Sequence, residues 1–300
     1  MLYIIYYKTD YIDFIFKGVN SSLPVEFIEL NHFRSLINRI LIRIIPAWFP
    51  NIPNCFINRE LRNKLNLLES TDSILVLDYS DNHLLNAIKK SVKQTSKLFF
   101  WAWNPIKIDG FSFIKKIKEL GYLPFTFEPK DAERFQIGLL HQFYRMKLDY
   151  QENEEYKYDF YFIGFIKNRS REIEELRSLL INEGFSVCFH VVQNVDQVIP
   201  YEQSLINYRY AKCLVELVED GLEGITLRPL EALALRKKMI TNNTEIINEE
   251  FYNPNNIFVL ELDNINRLGE FLNSEFIDID MSVLLKYDVN EWIRFFLKSN

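Results

Sequence analysis

Apolar runs of four to six residues alternate along this chain with amphipathic stretches of ten to fifteen, the mark of an α/β chain built on parallel sheets. In the first half the pattern predicts strands at 2–6, 25–29, 74–78, 97–102 and 124–127, with helices at 31–44, 59–69, 82–93, 110–120 and 130–135. The rhythm repeats with strands at 159–164, 186–191, 213–218, 238–241 and 257–260, again separated by helices. Each half alone predicts a doubly wound, Rossmann-like sheet. Residues 145–158 (RMKLDYQENEEYKY) are polar and acidic without apolar periodicity, so they read as a linker. The expected domains are therefore 1–144 and 159–285, followed by an amphipathic helix at 286–300 with Trp292, Phe295, Phe296 and Leu297 on one side.

Composition supports two cores: 300 residues, 48% hydrophobic and 15% aromatic. Charge divides the halves. Up to residue 144 there are 18 Lys and Arg against 14 Asp and Glu; after it, 17 against 27. So weak a basic excess does not argue for nucleic acid, but it suits an anionic membrane surface or a charged acceptor. The start has no basic segment followed by an apolar one, and no run approaches the ~20 apolar residues that cross a bilayer. Cys55, Cys188 and Cys213 are too widely spaced for a disulfide framework, so a cytoplasmic chain is expected.

The densest chemistry lies in EGITLRPLEALALRKKMITNN, residues 223–243, where a polar loop leads into a short amphipathic helix and then a strand. Thr226 is placed to cap a helix starting at Leu227, leaving free N–H groups and the positive end of the helix dipole for phosphate. Arg228 adds a fork of donors in the first turn. Glu231, three residues on, is placed either to accept from two ribose hydroxyls or to pair with Arg228 at the surface. A second cradle follows the strand DFYFIG, where Gly164, Lys167 and Arg169 precede a helix starting near Ser170. The two cations act on a diphosphate or are solvated loop charges. Tyr201, opening a helix, stacks on a base or packs in the core.

The spacing of Glu223 and Glu231, with Gly224, Leu227, Leu230, Ala232 and Leu233 between and after them, resembles the Glu-x7-Glu segment of glycosyltransferases with the two-Rossmann-domain GT-B fold. Thr226 stands where a second glycine is usual, and Arg236-Lys237-Lys238 replaces a Gly-x-Pro. The resemblance implies two Rossmann-like domains with parallel sheets facing a central cleft, and a terminal helix returning to the first domain. It assigns Glu223 to the donor sugar, Glu231 to the ribose, and basic residues near Lys167 and Arg169 to the diphosphate. It further implies a nucleotide-sugar donor, a glycan or lipid-linked acceptor in surface polysaccharide or lipopolysaccharide synthesis, and retention of anomeric configuration.

In the first half, Asp78 closes a strand where carboxylates face a ligand crevice, with His83 five residues on as the one histidine placed for acid–base work. Trp103 and Asn104 form either an acceptor wall or a core aromatic and a turn. His32, His83, His141 and His190 lack metal-site spacing, and Asp278-Ile279-Asp280 falls where a helix starts, so neither metal nor cofactor is expected. Residues 31–50 carry Arg34, Arg39 and Arg43 among aliphatics, then Trp48 and Phe49, fitting either peripheral contact with the inner face of the plasma membrane or a core-facing helix. The rivals to a transferase are a non-catalytic two-lobed nucleotide- or glycan-binding protein and a nucleotide-sugar epimerase.

Overall fold

The computed structural model describes residues 1–30, 63–65, 67–69, 71–78, 82–92, 96–107, 110–148 and 155–299. The first half runs β1 (Leu2–Tyr7), α1 (Asp10–Phe16), β2 (Val25–Leu30), β3 (Ser73–Leu77), α2 (Asn82–Ser91), β4 (Lys97–Ala102), α3 (Phe111–Glu119), β5 (Tyr122–Thr126), α4 (Pro129–Phe135) and β6 (Gly138–Leu139). The second runs β7 (Tyr158–Phe165), α5 (Ser170–Asn182), β8 (Val187–Val192), α6 (Tyr201–Arg209), β9 (Ala211–Glu216), α7 (Leu227–Ala234), β10 (Lys238–Thr241), β11 (Ile257–Val259), α8 (Leu268–Asn273), α9 (Met281–Lys286) and α10 (Val289–Lys298). The helix read at 31–44, the stretch 31–50, residues 59–62 and 66 of the helix read at 59–69 and the middle of 145–158 lie outside the described residues.

Among the described residues every strand pairing is parallel, in two sheets ordered β2-β1-β3-β4-β5-β6 and β11-β10-β9-β7-β8. Numbered within its own half, the second reads 2-1-3-4-5 as the first begins, the doubly wound order of flavodoxin-like folds. The chain falls into two compact units. One holds Met1–Thr9, Asn20–Leu140 and Ile293–Asn300; the other holds Asp10–Val19 and His141–Trp292. α1 is an element that the sequence pattern did not reveal. Its seven residues span too few turns for a 3.6-residue period to stand out, although Asp10 and Asp13 favour its first turn and Ile12, Ile15 and Phe16 are buried. The two-residue β6 and the six-residue α9 were equally too short to show a period.

In the first unit β3 is buried along its whole length, as a central parallel strand covered on both faces must be. On one face Ile5, Val76 and Phe100 pack against Leu85 and Ile88 of α2 and Ile114 and Ile117 of α3. On the other, Phe99 and Phe125 meet Phe296 edge-on, with ring centroids at 5.1 and 5.5 Å. In the second unit Phe160, Phe162, Val215, Ile240 and Phe258 pack against Ile173, Leu176 and Leu180 of α5 and Phe271 of α8. Trp292 stacks on Phe143 at 3.8 Å. Truncating one such fully buried aromatic costs about 3–5 kcal/mol.

Candidate functional site

In a doubly wound sheet the strand order reverses between the first and third strands, and the loops leaving their carboxyl ends diverge to open a crevice. In the second unit these strands are β7 and β9, and a cavity of about 220 Å³ lies at their ends. Its lining includes Gly164, Lys167 and Arg169 from the β7 loop, Glu216 and Glu219 from β9 and its loop, and Thr226 and Arg228 from the start of α7. The two cradles separated by about sixty residues of sequence are thus walls of one cavity. Glu223, Gly224, Leu227, Tyr201 and Glu231 are in the same unit but are not among the residues lining it.

Thr226 caps α7: its Oγ1 accepts from the Arg228 amide at 3.2 Å and donates to Glu216 Oε1 at 2.5 Å. Thr241 Oγ1 donates to the other Glu216 oxygen at 2.7 Å, across the register that pairs Glu216 with Thr241. Glu216 is 5% exposed. Burial pushes its pKa up, against the two hydroxyls, Arg228 and Arg169, which pull it down. A carboxylate buried near a helix amino end already answers part of that end's positive potential.

The free amides expected at this turn are fewer than the sequence reading supposed. The Arg228 N–H is taken by Thr226, and Pro229, third in the helix, has no N–H to offer. Of the orphan amides of the first turn this leaves those of Thr226, which lines the cavity, and Leu227, which does not.

Arg228 and Glu231 are paired at 2.7 Å with side chains 16% and 5% exposed, so theirs is a buried bond and not a surface pair. The Arg228 guanidinium lies 4.7 Å from the Tyr208 ring, donates to the Tyr208 hydroxyl, and donates to the Ile163 carbonyl at 2.9 Å. It therefore ties α7 to the end of β7. Tyr201 donates to the second Glu231 oxygen at 2.5 Å and bonds the Tyr144 hydroxyl at 2.8 Å. Burial raises the pKa of Glu231, opposed by Arg228 and Tyr201; burial and then the Glu231 charge raise those of Tyr201 and Tyr144, keeping both phenols protonated as donors. Tyr201 packs edge-on against Tyr11 and Phe14 at 6.4 and 5.4 Å, so it serves an aromatic cluster in this structure.

On the β7 side, Arg169 donates to the carbonyls of Leu217 and Phe165, the latter at 2.7 Å, spanning the two strand ends that bound the crevice. Its Nε is buried without a hydrogen-bond partner. Lys167 sits at φ +42°, a left-handed conformation costly for a side chain other than glycine, and pairs with Glu219 at 2.5 Å. Glu223 and Gly224 are held through their carbonyls, each accepting from Asn243 Nδ2 at 3.4 Å. Asn242 bridges the ends of β9 and β10 by accepting from the Val218 amide at 2.7 Å and donating to its carbonyl at 3.1 Å.

In the first unit three of the expected residues meet. Asp78, at φ +44° just after β3, accepts from the Trp103 amide at 3.2 Å and from Asn104 Nδ2 at 2.5 Å. Desolvation of its carboxylate raises its pKa, against these hydrogen bonds. Trp103 is 8% exposed, and its backbone rather than its ring serves Asp78. His83 lies in the first turn of α2, while Tyr79, Ser80 and Asp81 lie outside the described residues. Asp280 caps α9, accepting from the Ser282 amide at 2.7 Å.

Sequence reasoning missed Glu216, Glu219, Tyr144 and Tyr208. A signal existed for Glu216: it is the one charge inside the apolar run CLVELV, at a strand end. Nothing local pointed to Tyr144, 57 residues from the tyrosine it bonds.

Fold and cavity together define a class: an α/β chain of two doubly wound parallel sheets, the layout the GT-B resemblance implied, with a cation-lined crevice at the switch point of the second. No family model matches the sequence, and no curated protein matches it. Among solved structures the chain is similar to one described as the crystal structure of accessory secretory protein 1, 2 and 3 in Streptococcus pneumoniae, with a TM-score of 0.50 and 11% identity over 79% of this chain and 55% of that one. The chain thus spans about half the length of that structure, and the likeness is one of fold. Among the described residues no helix is long and apolar enough to cross a membrane.

Proposed function

We propose that the chain is a glycosyltransferase that takes a nucleotide-activated sugar and passes the sugar to a glycan or lipid-linked acceptor. The observation that carries this reading is the switch-point cavity, where Lys167, Arg169, Thr226 and Arg228 converge at a size suited to a diphosphate. In the reaction, charge grows on the leaving diphosphate as the sugar departs. Lys167, the rim of Arg169 and the Thr226 amide stabilise it, an effect that supplies several kcal/mol when donors are already in place. Glu223 orients the sugar from the loop before α7. Glu231 receives the ribose by exchanging the Tyr201 hydroxyl for a ligand hydroxyl. Asp78, held by Trp103 and Asn104, accepts from an acceptor hydroxyl, with His83 as the alternative proton acceptor. Neither metal nor cofactor has a role in this scheme. Peripheral membrane contact through residues 31–50 rests on the sequence alone.

A second reading, a non-catalytic nucleotide- or glycan-binding protein, is favoured by one observation: both Glu231 oxygens already have protein partners, Arg228 and Tyr201. Incubation with a panel of nucleotide sugars separates the two. A transferase releases nucleoside diphosphate, faster with acceptor present and not with Arg169→Ala. Binding without release over many hours supports the binder and overturns the enzyme.

A further inference from the structure

The cations lining the cavity are not equally available. Arg169 and Arg228 are fixed to backbone carbonyls of Leu217, Phe165 and Ile163, which cannot turn away without moving the strand ends. Among the described residues Lys167 is fixed only to Glu219, a side chain on the facing loop, and both side chains remain well exposed at 52% and 42%. An exposed pair of this kind contributes little net stability, so exchanging it for another anion costs little. The ammonium is a compact charge with three rotatable donors, suited to passing from one oxygen to another.

We propose that Glu219 is the cavity's resident anion, occupying Lys167 where a ligand phosphate binds, and that it sets how strongly the cavity takes anions. This rests on reading the cavity as a diphosphate site. An incoming phosphate displaces the Glu219 carboxylate from Lys167, and the freed carboxylate turns to solvent. One ion pair replaces another, so weakly charged ligands gain nothing, whereas a diphosphate outcompetes the single carboxylate charge. The exchange also lowers the salt sensitivity of binding, because the number of ion pairs is unchanged.

The test is calorimetric titration of the full chain with inorganic pyrophosphate at two salt concentrations, on the wild type, Glu219→Gln, Lys167→Ala and the double variant, each checked for native circular dichroism. Glu219→Gln is expected to bind about two- to five-fold more tightly, the range an exposed pair allows, and with a steeper salt dependence. Lys167→Ala weakens binding, and in its background the Glu219→Gln gain shrinks towards none. Binding by the wild type that Glu219→Gln leaves equal or weaker, or that Lys167→Ala does not alter, overturns the role of Glu219 while leaving the diphosphate site in place. Absence of pyrophosphate binding by both wild type and Glu219→Gln overturns the site as well.

Discussion

The two sheets share one order over five strands, yet their crevice edges carry different chemistry. At the second, Lys167, Arg169 and Arg228 surround a cavity. At the first, the residue after the third strand is Asp78, a carboxylate held by the Trp103 amide and the Asn104 side chain. Topology places a crevice in each unit, and a handful of side chains at the strand ends decides what each is able to hold. The edges are also strained alike, since Asp78 and Lys167 are both non-glycine residues at positive φ beside a strand end.

The largest effect expected from this contrast is structural. Arg228→Ala leaves Glu231 charged and buried without its cation and releases the tie to Ile163, so thermal or urea unfolding should show a loss of about 3–5 kcal/mol. Asp78→Ala removes the acceptor of the Trp103 amide and the Asn104 side chain, leaving no buried charge behind, and should cost about 1–2 kcal/mol. Similar losses in both variants would remove the difference drawn between the two edges.

Thr226→Ala comes next. It deletes a helix cap worth about 1 kcal/mol and takes a donor from buried Glu216, worth about 1–3 kcal/mol, so urea denaturation should place it between the first two. A loss below about 0.5 kcal/mol would mean that the Thr226–Glu216 bond contributes nothing.

A smaller effect appears in pH dependence. Burial holds the Glu216 carboxyl above its ordinary value of 4.5. A carboxyl raised in the folded state favours folding below its unfolded pKa and withdraws that contribution as pH rises through the folded value. Glu216→Gln does not titrate, so its stability relative to the wild type should increase as pH is raised from 4 upward, measured by urea denaturation at each pH. Parallel profiles would show that Glu216 is not the titrating group.

The smallest is conformational. Lys167→Gly relieves the left-handed backbone and should exceed Lys167→Ala in stability by about 1 kcal/mol while losing the same anion contact. Equal unfolding midpoints would argue that the loop bears no strain.

What the sequence made legible was local. β4 and β10 occupy the spans read from the pattern, 97–102 and 238–241, and Gly164, Lys167, Arg169, Thr226 and Arg228 were visible because each lies within a few residues of a strand end or helix start. What it hid was distant: whether Glu231 faces a ligand or a tyrosine depends on Tyr201 and Tyr144, which no pattern near residue 231 announces. One detail was legible and overlooked. Pro229 stands third in the helix, and its missing N–H removes one of the donors that the turn would otherwise offer.

Whether the second unit's edge binds the phosphates of a nucleotide is decided by a thermal-shift series of the full chain against UDP, GDP, CMP and dTDP, repeated on Arg169→Ala and Asp78→Ala. A ligand at about 100 times its dissociation constant stabilises by about 2.7 kcal/mol, a shift of several degrees that Arg169→Ala should abolish and Asp78→Ala should retain. No shift with any nucleotide, or a shift lost in Asp78→Ala and kept in Arg169→Ala, would contradict the assignment of the cavity.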